Sequence, residues 1–289
     1  MQLPRSSYQH PLKPKDDSAV QDALTALVSK HPVIGFWQCY HRLRNQGKQW
    51  NHKKVRRVYR AMNLNIRRRS KKRLPARIKQ ALVIPDSPNQ IWSIDFMSDN
   101  LTDGRKYRLL NVLDDFNRES LCIEADTSLP SLRVIRVLKN LIAQRGKPDN
   151  IRVDNGPEFI SHKLCQWCEL NKITLQFIQP GKPTQNAFIE RKNGSIRREL
   201  LNAYLFYSLS QVREMCQQWR RDYNHERPHK SLGYLSPVNY LQKWTIENIK
   251  KNNTEGLSTP ARETFNQIEA KRVVDNPYYN NNKNTLILN

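Results

Sequence analysis

The chain has 289 residues, 49 Lys and Arg against 26 Asp and Glu, and a net charge of +23. That balance points to a polyanionic partner, and no apolar run approaches the about 18 residues that a membrane span requires. The first seventeen residues lack the apolar block of a secretory signal, and five cysteines, an odd number, fit a reducing cytoplasm better than a disulfide framework.

The basic charge is unevenly spread: residues 1–90 hold 20 Lys or Arg against 4 Asp or Glu, and 41–80 hold 16 basic residues and no acidic one. A solvated face usually mixes signs, so the bias reads as nucleic-acid contact, with a disordered basic tail as the alternative. After a tail over 1–17, SAVQDALTALVS (18–29) reads as a helix with Ser18 as its N-cap. IGFWQCYHRLRNQG (34–47) reads as a second helix ending at Gly47. NHKKVRRVYRAMN (51–63) reads as a third, capped by Asn51, with Val55, Val58, Tyr59 and Met62 at helical spacing. It carries Lys53, Lys54, Arg56, Arg57 and Arg60, so 18–66 is expected to be an all-helical, helix-turn-helix-like DNA-binding domain. Residues 67–88 follow as a basic linker punctuated by Pro85 and Pro88.

From residue 89 the pattern changes. QIWSIDFM, KYRLLNVLDDF and ESLCIEAD read as an antiparallel meander. A helix over 131–146, strand NIRVD, a helix over 158–171, strand TLQFIQ and a helix from Thr184 past Leu200 follow, giving an α/β domain with a mixed sheet over 89–205. A helix opened by a Ser208–Gln211 capping box belongs to a helical part over 206–244, and 245–289 reads as a polar, disordered tail. Cys165 and Cys168, with His162, offer a partial set of zinc ligands; without a fourth ligand at a familiar spacing, they read as helix packing.

Three acids stand out. Asp95 interrupts an apolar strand, where a carboxylate is costly unless it is paired or binds a cation. Asp154 ends another strand at the turn DNG, and neighbouring strands about 4.8 Å apart would bring the two together. Glu190 lies at the border of the stripe Ile189, Ile196, Leu200 and Ala203, in the direction shared by Arg197. Converging carboxylates repel unless a hard cation such as Mg²⁺ lies among them; structural salt bridging is the competing reading of each. Asp114 and Asp115 read as a turn initiator, with a share in the site as the alternative.

WSIDFM, LLNVLDDFNRE, VDNGPEF and GKPTQNAFIERKNGSIRREL, in that order, resemble the Asp-Asp-Glu transposases, most closely the OrfB-type proteins of the insertion-sequence-three family, with retroviral integrase cores as more distant relatives. The likeness spans about 15–242, includes 35 residues between Asp154 and Glu190 and Arg197 seven positions after the glutamate, and ends on YNHERPHKSLGYLSP. It implies a ribonuclease-H-like five-stranded sheet flanked by helices. In it Asp95, Asp154 and Glu190 hold two Mg²⁺ ions, with Mn²⁺ as a substitute, and catalyse 3′-end cleavage and strand transfer. It also implies Lys182, Lys192 and Arg197 as contacts to terminal DNA, and element-end repeats and target DNA as partners. Further expectations are a homo-oligomer on DNA, an upstream-frame protein (OrfA) alone or fused to this chain, and a bacterial cytoplasmic, nucleoid-associated location without membrane. Lys192 departs from the aromatic common among relatives. A non-catalytic DNA-binding regulator and a nuclease acting on RNA–DNA hybrids are the competing functions.

Overall fold

The computed structural model describes residues 16–66, 84–179 and 183–254. Three helices come first: α1 (Ser18–Lys30), α2 (Phe36–Asn45) and α3 (His52–Ala61). Their apolar faces close on a small core of Val20, Leu24, Ile34, Cys39, Leu43, Val55, Val58 and Tyr59. Asn51 caps α3 as its sequence implies, its side chain accepting from Lys53 N at 2.8 Å. The expected Ser18 cap is corrected. Ser18 is already helical, Asp17 holds the cap position, and the Ser18 hydroxyl is bound to Asp16 Oδ1 at 2.6 Å.

The next elements are β1 (Ile91–Asn100), β2 (Lys106–Asp114), β3 (Ser120–Asp126), α4 (Ser131–Arg145) and β4 (Asn150–Val153). They are followed by the single turn α5 (Pro157–Ile160), α6 (His162–Leu170) and β5 (Thr174–Phe177). The sheet order is β3-β2-β1-β4-β5. β1–β2 and β2–β3 are antiparallel, and β1–β4 and β4–β5 are parallel. This is a five-stranded mixed sheet of the ribonuclease-H-like kind, as expected.

Side chains alternate across a strand, so Trp92 and Ile94 pack on one face with Val134 and Leu138 of α4 and Phe159 of α5. On the other face, Tyr107 and Leu109 pack under a second helical layer. That layer contains α7 (Ala187–Ile196), a widened π turn (Arg197–Leu201) and α8 (Leu209–His225). Ser208 caps α8, accepting from Gln211 N at 3.2 Å, while Gln211 Oε1 reaches back to Tyr207 N at 3.0 Å. The reciprocal bond of the expected capping box therefore lands one residue earlier.

Two expected helices are broken. The 158–171 helix is interrupted at Ser161, whose extended backbone (ψ 134°) starts α6 anew while its hydroxyl accepts from Leu164 N. The helix expected from Thr184 past Leu200 divides into a 3₁₀ turn (Pro183–Asn186), α7 and the π turn. A third difference lies near the C-terminus. A helix, α9, runs from Pro237 to Thr254, so the first ten residues of the expected tail are helical. Proline at its first turn suits a helix start, where no N–H is missed. From residue 242 this helix belongs to a separate unit, in which Lys243 and Glu247 pair one turn apart at 3.8 Å.

Candidate active site

β1 and β4 run parallel with Ser93 opposite Arg152. Two residues farther along both chains come Asp95 and Asp154, at neighbouring positions where β4 ends. Asp154 turns back into its own loop, Oδ1 accepting from Gly156 N at 3.0 Å. Gly156 is needed for space: a Cβ there would stand 2.9 Å from Asp154 Oδ1.

The third acid comes from α7, which packs along β1. Asn193 Nδ2 donates to Asp95 Oδ2 at 2.7 Å, and Arg197 donates to Asp99 Oδ2 and to the Ser98 carbonyl, both at 2.7 Å. These bonds set α7 so that Glu190, one turn before Asn193, faces Asp95 with an exposed side chain. Asp95 is half-buried, and burial is the main reason its carboxyl is pushed up to about 6. The charges of Asp154 and Glu190 push in the same direction, while hydrogen bonds from Phe96 N and Asn193 oppose them. Burial raises Glu190 as well.

Asp95 thus feels the other two carboxylates, but the three do not close to within 4.8 Å as a set. Among the described residues, the group that does so is His31, Asp222 and Glu226. There, cations of the chain already compensate the acids: Arg42 bonds Asp222 at 2.6 Å and Lys30 bonds Glu226 at 3.1 Å. That cluster is an ion-pair node seating the helical module against α8. Beside it, His41 stacks on Tyr234 at 3.5 Å and Gln38 Nε2 donates to the Pro228 carbonyl. The ending signature, which the sequence marked without a role, supplies this seat. Cys168 lies in the core beside α4, its thiol pushed up to about 12 by burial, in keeping with packing.

Lys192 requires a correction. It is 1% exposed, and its Nζ donates to the carbonyls of Val112 and Cys122 at 3.4 and 3.5 Å, where the β2–β3 ladder shifts register. It falls on the Ile189–Ile196 stripe of α7, so it faces the sheet and away from any DNA. Burial pulls its ammonium down to about 7. Lys182 lies outside the described residues. Arg197 stays at the surface with its side chain about a third exposed. On α3, Lys53, Arg56, Arg57 and Arg60 are exposed and Lys54 is half-buried; Arg57 is held by Asp17 at 2.7 Å and Lys54 is close to the same acid. Asp114 and Asp115 are outside the site. Asp115 is paired with Arg152 at 2.6 Å and fully buried. Asn193 is the residue that sequence reasoning missed, though its place three positions after Glu190 on a helix was a usable signal.

A ribonuclease-H-like sheet carrying two neighbouring aspartates and a helical glutamate, behind a basic helical module, defines a polynucleotidyl transferase acting on DNA. Comparisons with known proteins agree. Models described as integrase core domain match residues 85–183 and 171–237, and one described as HTH-like domain matches 15–72. The chain is 40% identical over 242 residues to an uncharacterized 31.7 kDa protein of insertion element IS407 from Burkholderia multivorans, covering 83% of this chain and 87% of that one. It is 38% identical over 246 residues to a 39.2 kDa protein of insertion element IS476 from Xanthomonas euvesicatoria, covering 85% and 71%. Among solved structures, the HTLV-2 integrase catalytic core domain in complex with magnesium is 24% identical, with a TM-score of 0.44 over 53% of this chain and 96% of that one. The chain belongs to the bacterial insertion-sequence transposases of the retroviral integrase superfamily. Among the described residues no helix is long and apolar enough to cross a membrane.

Proposed function

We propose that this transposase cleaves the 3′ ends of its element and joins them to target DNA at a site made by Asp95, Asp154 and Glu190. The observation that supports the reading is that β1 and β4 run parallel with Asp95 and Asp154 at neighbouring positions, while the charge of Glu190 on α7 reaches the half-buried Asp95. The donor set fits Mg²⁺, or Mn²⁺ in its place. All its donors are hard oxygens, and only one oxygen of Asp154 is taken up by the bond that orients it. Two bound ions would supply activation of the attacking oxygen and charge stabilisation of the leaving one.

The chain's own residues orient and hold. Asn193 fixes the Asp95 carboxylate, the DNG turn aims Asp154, and Arg197 anchors the helix of Glu190 to β1. In the first reaction a water oxygen bonds to phosphorus at the element end as the P–O3′ bond breaks, leaving a 3′-hydroxyl. In the second, that hydroxyl attacks a target phosphodiester and displaces its 3′-oxygen, so one phosphodiester replaces another and no energy source is needed. Lys53, Arg56, Arg57 and Arg60 are the proposed contacts to duplex phosphates, with Lys54, Arg197 and Lys182 as further candidates. Assembly as a homo-oligomer on paired ends, cooperation with an upstream-frame protein and action in the bacterial cytoplasm belong to the same reading.

The test is cleavage and joining of end-bearing duplex with Mg²⁺, by the chain and by its fusion to an upstream-frame protein. Asp154→Asn should abolish both reactions while binding of the duplex persists. Equal activity in mutant and parent would end the reading.

A further inference from the structure

The turn that carries Asp154 is braced on the sheet by an ion pair with no assigned role. Arg108 on β2 stands opposite Ser98 of β1, and its guanidinium lies over the Phe96 ring, 4.2 Å from the centroid. The same guanidinium bonds Glu158, in the single turn α5 that follows the DNG turn. Next to it, the fully buried Phe159 stacks on Phe96 with centroids 4.9 Å apart. Phe96 is therefore sandwiched between residues of the pair and of the turn.

The pair is also close to the acid. The position of a Cβ on Gly156 would be 2.9 Å from Asp154 Oδ1 and 3.6 Å from Glu158 Oε2, so the two carboxylates crowd one glycine. Left alone, they would repel. Arg108 compensates Glu158 and holds its carboxyl below the usual range, with both side chains less than a third exposed or nearly so.

Building on the carboxylate-site reading above, we propose that Glu158, clamped by Arg108 over Phe96, is a positioning residue that sets Asp154 for metal binding. It touches neither metal nor DNA in this role. The clamp fixes the start of α5, and α5 fixes the backbone N–H of Gly156 on which Asp154 leans.

Electrostatics and positioning make opposite forecasts, and this permits a clean test. Glu158→Gln removes a negative charge near Asp154, and Arg108→Met removes a positive one. If only charge mattered, the first would weaken cation binding and the second would strengthen it. The clamp requires both to weaken it. The experiment measures Mn²⁺ affinity of the full chain without DNA, together with its thermal unfolding, for the parent, Glu158→Gln, Arg108→Met and Asp154→Asn. Both clamp variants should bind Mn²⁺ about 10-fold more weakly, the usual range for residues that orient a metal ligand, with unfolding nearly unchanged. Arg108→Lys, which keeps the charge, should recover most of the affinity.

Opposite shifts for Glu158→Gln and Arg108→Met, or unchanged Mn²⁺ affinity with lowered unfolding temperature, would overturn the clamp and leave the carboxylate site standing. Unchanged affinity in Asp154→Asn would remove the carboxylate site and the clamp with it. If Arg108→Met fails to fold, Glu158→Gln and Glu158→Ala carry the test, and unchanged Mn²⁺ affinity in both overturns the proposal.

Discussion

Two groups of carboxylates sit only a few residues apart along the same central strands, and they are built in opposite ways. Asp95 pairs in register with Asn111, and Asp114 with Trp92, so the groups lie about 10 Å apart at 3.3 Å per residue. Around Asp114 and Asp115 every acid has a partner of the chain. Asp115 meets Arg152, Glu119 meets Arg145, and Asp114 accepts from Asn89 N and Phe116 N at 2.9 Å each. Around Asp95, Asp154 and Glu190 the bonds come from neutral groups, Phe96 N and the Asn193 amide to Asp95 and Gly156 N to Asp154, and the charges that act on Asp95 are those of the other two acids. A buried acid whose partner is in place keeps that partner's charge from being left alone, so removing either one destabilises the fold. Acids gathered without an ion-pair partner repel one another, and a perturbed carboxyl in such a place is a candidate for a site that acts on something else.

The contrast can be broken most sharply at the site itself. Asp95→Asn should lower cleavage and joining by about a thousandfold or more, in the range for losing a group that stabilises developing charge. The same variant should unfold at the same or a higher temperature, because one member of a repelling set is gone; loss of stability would erase the distinction. Asp115→Ala should do the reverse. It leaves Arg152 buried without its partner, which costs about 3–5 kcal/mol, visible as a lower midpoint in denaturant.

Gly156→Ala comes next. Its Cβ would be 2.9 Å from Asp154 Oδ1, so the carboxylate must move. Strand transfer should fall about 10- to 100-fold with little change in unfolding, in keeping with displaced reacting groups.

A smaller effect is expected in pH. Burial lifts Asp114 to about 7 and Asp115 to about 6, against 3.8 for the ordinary group. The folded chain keeps these protons to higher pH than the unfolded chain, so their contribution is full below about 4 and is lost as pH rises toward 7. Urea unfolding across this window should show that decline, and Asp114→Asn should flatten it. An unaltered slope would mean that Asp114 does not keep its proton above the ordinary range. The smallest effect is at the helical module. Lys53→Ala should weaken duplex binding evenly across sequences and reduce the salt slope by about one, without touching metal affinity.

Much of this was legible in the sequence because local rules decide it. Alternation in IWSIDFM set which side of β1 carries Asp95, and Asn51 and Ser208 marked helix starts through short-range bonds. The broken helices were less legible. Ser161 leaves helical geometry as its hydroxyl accepts from Leu164 N, and the helix widens to a π turn at Arg197, whose guanidinium is bound to Asp99, 98 residues away. Lys192 was misread for a related reason. A lysine between surface-like residues reads as exposed, and only the bulge in β2–β3 supplies the two carbonyls that hold it inside.

The sequence by itself determined the order of elements and the basic character of the first helices and singled out three acids as candidates, since each depends on periodicity, composition or fixed spacing. The tertiary structure alone decided which acids have partners. Arg152 reaches Asp115, Asn193 reaches Asp95 and Arg108 reaches Glu158 across 37, 98 and 50 residues of chain. Whether a carboxylate supports the fold or stands ready for a cation depends on which charges surround it in space, and the folding of the sheet brings those charges there.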